Sequence, residues 1–198
     1  MGNNPGFDNV LVHDLIPYID AHYRTVADQS HRAMAGLSMG GMETHNITLA
    51  HLDTFSGIGL FSGGSVTTNE IASLAGSTNA VANMAKFKKM VKLVFISSGS
   101  RELAGGRGGA PGRGGAAPAG VAAADGAPGG APAGGPGGRG GLGGRGGGGM
   151  GGSPQSAVDG LTAAGINAHF YVSPDTAHEF QSWRRSLREF APLLSQNW

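Results

Sequence analysis

The chain has 198 residues, 38 of them glycine, and a formal net charge of +1. Near-neutral charge leaves no global field to draw in nucleic acid or a membrane surface, and the absence of cysteine excludes disulfides, thiolate nucleophiles and cysteine-based zinc sites. No apolar run approaches the roughly 20 residues of a membrane-spanning helix.

The first ten residues, MGNNPGFDNV, do not read as a secretory signal. Gly2 lacks the Ser or Thr at the sixth position that a myristoylation signal wants. From Asp8 to Tyr23, Val10, Leu11, Leu15, Ile16 and Ile19 recur at three- and four-residue steps, which predicts an amphipathic helix. Pro17 is expected to kink it. Arg32 to Leu37 is short and apolar enough for a buried strand. Met39 to His51 suits a helix, with Met42, Ile47 and Leu49 available for packing. Ser56 to Phe61 reads as a second buried strand, followed by the small-residue loop SGGSVTT. Asn69 to Lys89 is expected to be helical in two pieces, broken near Gly76 and Ser77. Lys92 to Ser97, KLVFIS, is the clearest strand. Pro154 to Ala164 has a helix start, with Ser153 as cap and Pro154 in the first turn, and Gly165 suits its stop. Asn167 to Val172 is a strand. Phe180 to Leu194 is a closing helix, with Trp183, Leu187, Phe190 and Leu194 expected on one face. Alternating strands and helices predict an α/β fold, a parallel sheet covered on both sides.

Residues 104–152 are almost entirely Gly, Ala and Pro, with four arginines, one acid, Asp125, and Val121, Leu142 and Met150. Such a stretch cannot bury enough apolar surface to offset its ordering entropy, so it is read as a disordered low-complexity insertion. Closure entropy grows only logarithmically with loop length, which makes the insertion tolerable. Residues 1–103 and 153–198 then form one domain, with about 150 residues for a core.

Ser38 sits inside Gly36-Leu37-Ser38-Met39-Gly40, between the strand pattern and the helix pattern. A nucleophile elbow places serine at such a strained strand-to-helix turn. Small neighbours remove Cβ clashes there, and the free N–H groups of the helix start lie beneath developing negative charge. The plainer alternative is an ordinary Gly-Ser turn. A serine needs a base, and in the elbow arrangement the chain order is serine, acid, histidine. Of seven histidines, only His169 and His178 follow a plausible acid. His169 falls inside a strand pattern, as a packed or edge residue. His178 lies in the loop between the last strand and the last helix, where the base belongs. The acid should follow the strand at 92–97, and SSGSRELAGG offers Glu102, whose role would be to orient the imidazole. A solvated loop glutamate is the alternative. Asp175 and Glu179 flank His178 too tightly to reach its ring, and Asp53 reads as a cap or turn residue.

Other patterns carry less. HEFQS at 178–182 begins like a zinc-protease helix, but Ser182 stands where the second histidine is required, so no metal site is expected. His45 and His51 do not share a helix face, and no phosphate-loop pattern is present. Arg107, Arg113, Arg139 and Arg145 open Arg-Gly-Gly triplets similar to RNA-binding segments. They lack interleaved aromatics for base stacking, so no nucleic-acid partner is expected.

Three stretches, DLIPYIDAHYR, HRAMAGLSMGGMETHNITLAHLDTFSGIGLFSGG and GINAHFYVSPDTAHEFQSWRRSLREFAPLL, together resemble the C-terminal part of the esterase-D-like α/β-hydrolases. These include the feruloyl and acetyl-xylan esterases of carbohydrate esterase family 1, enterochelin esterases and S-formylglutathione hydrolases. The resemblance covers most of the chain except the insertion, and is closest to the bacterial feruloyl esterases. It implies Ser38 as nucleophile, His178 as base, Glu102 as acid and the Met39 N–H as an oxyanion-hole donor. Many relatives carry Asp where Glu102 stands. It further implies ester hydrolysis through an acyl-enzyme, on hydroxycinnamoyl or acetyl esters of plant polysaccharide, with no metal or organic cofactor. In such enzymes the helix matching Asp8 to Tyr23 follows a substantial N-terminal half. That half holds the first strands, a second oxyanion donor and any signal peptide of a secreted or periplasmic parent. The chain is therefore expected to be a partial hydrolase domain with Arg32 to Leu37 as an unpaired apolar edge. Loss of one oxyanion donor costs on the order of 100- to 1,000-fold in turnover.

Overall fold

The computed structural model describes residues 6–75, 78–104 and 153–198. The expected helix break near Gly76 and Ser77 and all of the insertion read at 104–152 but its first residue, Ala104, lie outside them. Four strands, β1 (Ala33–Leu37), β2 (Gly57–Phe61), β3 (Leu93–Gly99) and β4 (Ala168–Ser173), form one parallel sheet in the order β1-β2-β3-β4. Helix α3 (Met39–Ala50) joins β1 to β2, and α4 (Thr68–Ala72) with α5 (Ala80–Met90) joins β2 to β3. A short α6 (Ser100–Ala104) follows β3, α7 (Pro154–Ala163) leads into β4, and α8 (Phe180–Gln196) closes the chain.

The two central strands are buried along their whole length, because both faces of the sheet are covered. Alternation sorts their side chains. Ile58, Leu60, Val94 and Ile96 enter a core with Ile71, Phe87 and Leu161 from the helices. Phe61, Leu93 and Phe95 enter a second core with Phe190 of α8. There Phe61, Phe95 and Phe190 meet at ring-centroid distances of 5.4 to 5.8 Å, two of the three pairs edge-on. Phe190 is 2% exposed, and so few residues fill this layer that the ring has no substitute. Phe190→Ala is expected to cost about 3 kcal/mol, read as a lowered thermal midpoint by circular dichroism.

Local signals place the helix ends. Thr67 and Glu70 form a reciprocal capping box on α4. Ser153 caps α7 by accepting from the Ser156 N–H at 3.2 Å, and Gly165 follows α7 at φ +79°, a conformation that glycine adopts without strain.

Some faces differ from the sequence expectation. In α3, Ile47 is buried, but Met42 is half exposed and the packed positions are Gly41, Thr44 and Thr48. The helix leans on the sheet through small residues, so the long Met42 side chain is turned outward. In α8, Leu187 is exposed while Ser182, Ser186 and Phe190 are buried. Close approach to Gly57 and Gly59 of β2, where added Cβ atoms would meet Leu194 and Phe190, centres the contact one position away from Leu187.

The first helical stretch is α1 (Phe7–Val10), a π-helical turn (Leu11–Leu15) and α2 (Ile16–His22). Pro17 is the second residue of α2, directly after the π turn in one unbroken helical run, and the widened turn lies where a proline with no N–H interrupts the ladder. None of this stretch is buried. Its apolar face, with Leu11, Leu15, Ile16 and Ile19, lines an open groove of about 580 Å³ beside Ala33 and Met34 of β1. Arg32 holds α2 to the strand through Asp20 at 2.7 Å. β1 itself is half exposed rather than buried, and among the described residues only β2 pairs with it. At its entrance, hydrogen bonds from His31 and then Ser30 hold the Asp28 carboxyl below its ordinary pKa.

Candidate active site

The sharp turn after β1 is real and its strain is measurable. Ser38 has φ 53° and ψ −120°, in the region that L-residues avoid. Its N–H donates to the Phe61 carbonyl at 2.9 Å, and its own carbonyl accepts from the N–H groups of Gly41 and Met42. The turn is thus tied to the end of β2 and to the first turn of α3. A Cβ on Gly36 would collide with the Gly40 backbone and Thr44 Oγ1, whereas one on Gly40 would meet nothing. Only the first of the two flanking glycines is demanded by space.

His178 arrives from the loop between β4 and α8. That loop is fastened at several points. Thr176 Oγ1 donates to the Ser173 carbonyl at 3.0 Å, and Arg185 donates to the Pro174 carbonyl at 2.7 Å. The Asp175 N–H donates to Ser100 Oγ at 2.9 Å, and the Arg101 N–H to the Thr176 carbonyl at 2.9 Å. The end of β3 presses so closely on the loop that a Cβ on Gly99 would strike the carbonyls of Thr176 and Ala177. Trp183 closes the other side, edge-on to the imidazole at 5.2 Å.

These constraints bring three distant residues together. His178 Nε2 lies 2.8 Å from Ser38 Oγ, and His178 Nδ1 lies 3.0 Å from Glu102 Oε1. A carboxylate accepts and cannot donate, so the Nδ1 proton faces Glu102 and the Nε2 lone pair faces Ser38. An imidazole in that state can take the proton of the hydroxyl. Met39 is the first residue of α3, at a position whose N–H has no acceptor within the helix. That N–H and the positive end of the helix are left for a group outside the helix beside Ser38.

The remaining candidates lie apart. Glu179 accepts from the Ala177 N–H at 3.0 Å, and Asp175 sits at φ +55° facing Ser100. His169 Nε2, on β4, is 2.9 Å from Asn167 Oδ1 just before that strand, Asp53 lies in the turn after α3, and His45 is 3.5 Å from Glu70. Among the described residues no three His, Asp or Glu side chains gather as a metal-holding group. Two neighbours of the trio escape a sequence reading. Ser62 Oγ donates to Glu102 Oε2 at 2.7 Å, and the Gly99 N–H donates to the same oxygen at 3.2 Å. The signal for Ser62 was present as the first serine of SGGSVTT, but nothing in one dimension pairs it with residue 102.

A parallel sheet flanked by helices, with serine at a bend after one strand and histidine delivered after the last, defines the α/β-hydrolase class. The chain belongs to the esterase family within it: the family model described as "Putative esterase" matches residues 2–105. An endo-1,4-beta-xylanase/feruloyl esterase of Xylanibacter ruminicola is 34% identical over 188 residues, covering 95% of this chain and 18% of that protein. A solved ferulic acid esterase superposes with a TM-score of 0.57 at 17% identity, over 97% of this chain and 62% of the other. A CE1 ferulic acid esterase from Anaeromyces mucronatus, in complex with ferulic acid, superposes at 0.51 and 16% identity, over 93% of this chain and 52% of the other. A mutant of the feruloyl esterase module from Clostridium thermocellum, complexed with sinapinate, superposes at 0.53 and 15% identity, over 95% and 57%. At these identities the structural likeness is one of fold. The chain spans under two thirds of the length of each of these relatives.

Proposed function

We propose that the chain carries the catalytic centre of a serine carboxylic-ester hydrolase acting through an acyl-enzyme. One observation carries the reading: a hydroxyl, an imidazole and a carboxylate from three separate junctions stand in line at 2.8 and 3.0 Å. In the reaction Ser38 Oγ attacks the ester carbonyl carbon while its proton passes to His178 Nε2. The carbonyl oxygen becomes an anion that the Met39 N–H receives. Collapse breaks the bond to the alcohol, which leaves with the proton from His178. Water then repeats the sequence on the acyl-enzyme and frees the acid. Glu102 holds the tautomer and stabilises the imidazolium. The relatives named feruloyl esterase and ferulic acid esterase support a feruloyl ester of plant polysaccharide as substrate, with an acetyl ester as the alternative.

A fluorophosphonate probe tests this directly. Attack by Ser38 Oγ forms an O–P bond as the P–F bond breaks and fluoride leaves. Intact-mass analysis is expected to give one adduct per chain, mapped to the Ser38 peptide and absent in His178→Ala. Labelling elsewhere, or none in the wild type, would sink the reading.

A second reading is a catalytically incompetent hydrolase chain that needs a further oxyanion donor. The half-exposed edge of β1 and the apolar groove beside it favour it, since both offer a place for more polypeptide. It predicts probe labelling at Ser38 without sustained hydrolysis of an aryl ester. Sustained turnover by the chain alone excludes it.

A further inference from the structure

We propose that Ser62 is a positioning residue, whose hydroxyl fixes the Glu102 carboxylate in the orientation that His178 requires. The proposal rests on the catalytic reading above. Glu102 needs such a tie. It stands on a five-residue helix with no buried residue, so packing does not set its rotamer, and its side chain has three torsions to lose. The structure divides the two carboxylate oxygens. Oε2 accepts from Ser62 Oγ at 2.7 Å and from the Gly99 N–H at 3.2 Å. Oε1 is left for His178 Nδ1 at 3.0 Å. A hydroxyl on an ionised carboxylate at this length is a charge-assisted bond, stronger than a neutral pair.

The backbone at Ser62 strengthens the case. Ser62 has φ +52°, a region where glycine is at ease and serine is strained. The next two residues are glycines and the chain uses glycine freely, yet the strained position carries a hydroxyl. Its N–H is pinned to the Ser97 carbonyl at 2.8 Å, so the side chain is presented from the ends of two neighbouring strands. An outlier held this firmly next to a reacting group is where strain and function coincide.

Ser62→Gly separates the two roles a residue here could play. Glycine relieves the φ penalty and removes only the hydroxyl. If Ser62 were simply a turn residue, the variant would melt no lower than the wild type and react as fast. Under the proposal it keeps the melt, while the maximal rate of fluorophosphonate labelling at Ser38 falls between about ten- and a hundredfold. The half-saturating probe concentration stays unchanged, because Ser62 acts through Glu102 and not on the probe. Ser62→Asn tolerates positive φ and returns a donor, so it should recover part of the rate. A Gly variant as fast as the wild type overturns the proposal, and so does an Asn variant as slow as Gly. A rise in half-saturating concentration without a fall in maximal rate also overturns it. A wild type that never labels at Ser38 is a different failure, of the catalytic reading itself, and takes this proposal with it.

Discussion

Ser38→Ala is expected to lower ester hydrolysis on the order of a millionfold and to leave the thermal melt nearly unchanged. The two halves of that result have different causes. Among the described residues Ser38 Oγ has one hydrogen-bond partner, His178 Nε2 at 2.8 Å, and that partner is half exposed to water. Its loss therefore opens no packed cavity and strands no buried donor. The strain of φ 53° is carried by alanine as by serine, and the ties that hold the turn are backbone bonds to Phe61, Gly41 and Met42, which the substitution leaves in place. The chemistry has no such reserve. Without Oγ no acyl-enzyme forms, and His178 and the Met39 N–H act only on a bound water. The measurement is steady-state hydrolysis of a short aryl ester beside a circular dichroism melt. Activity within tenfold of the wild type, in protein free of other esterases, would remove Ser38 from the mechanism. An inactive variant that has also unfolded would show that the hydroxyl supports the fold, against the unchanged melt expected here.

Ser38 and His178, the proposed nucleophile and base, could be singled out in one dimension because such chemistry depends on element junctions, and junctions leave local marks. Ser38 lies between an apolar run and a helical run, and His178 between the last strand and the last helix. Strands β2 and β3 were readable for a similar reason, since burial on both faces demands unbroken apolar runs such as SGIGLF and KLVFIS. What escaped depends on contacts made across the sheet. The unequal need for Gly36 and Gly40 follows from how α3 folds back over β1, which no local pattern encodes. The buried face of α8 turned on the glycines of β2, more than a hundred residues away, so Leu187 looked like core on its own helix and is not. The apolar stripe of the first helical stretch was plain from its periodicity, yet periodicity states that a face is apolar and not what lies against it. Ser62 escaped because its partner is 40 residues on and its aim is set by a positive φ that the sequence of a serine does not announce.

Glu102→Gln should cost on the order of ten-thousandfold in turnover, with little change in fold, and the reason lies in which atoms face the imidazole. Among the described residues the carboxylate accepts three hydrogen bonds: from Ser62 and Gly99 on Oε2 and from His178 Nδ1 on Oε1. An amide of the same shape has one oxygen and one NH₂ group. The two donors on the Oε2 side draw the amide oxygen toward themselves. That turns the NH₂ toward His178, where it donates to Nδ1 and forces the imidazole proton onto Nε2. The lone pair that should receive the Ser38 proton is then gone, and no carboxylate charge remains to stabilise an imidazolium. Glu102→Asp keeps the charge but shortens the reach by one methylene, so its loss should be smaller than that of Gln. The comparison is made by steady-state kinetics on one aryl ester, with melts as control for folding. Equal activity of wild type and Gln variant would mean that Glu102 is a solvated loop glutamate after all. Asp falling as far as Gln would mean that reach, rather than charge and tautomer, decides what this position contributes.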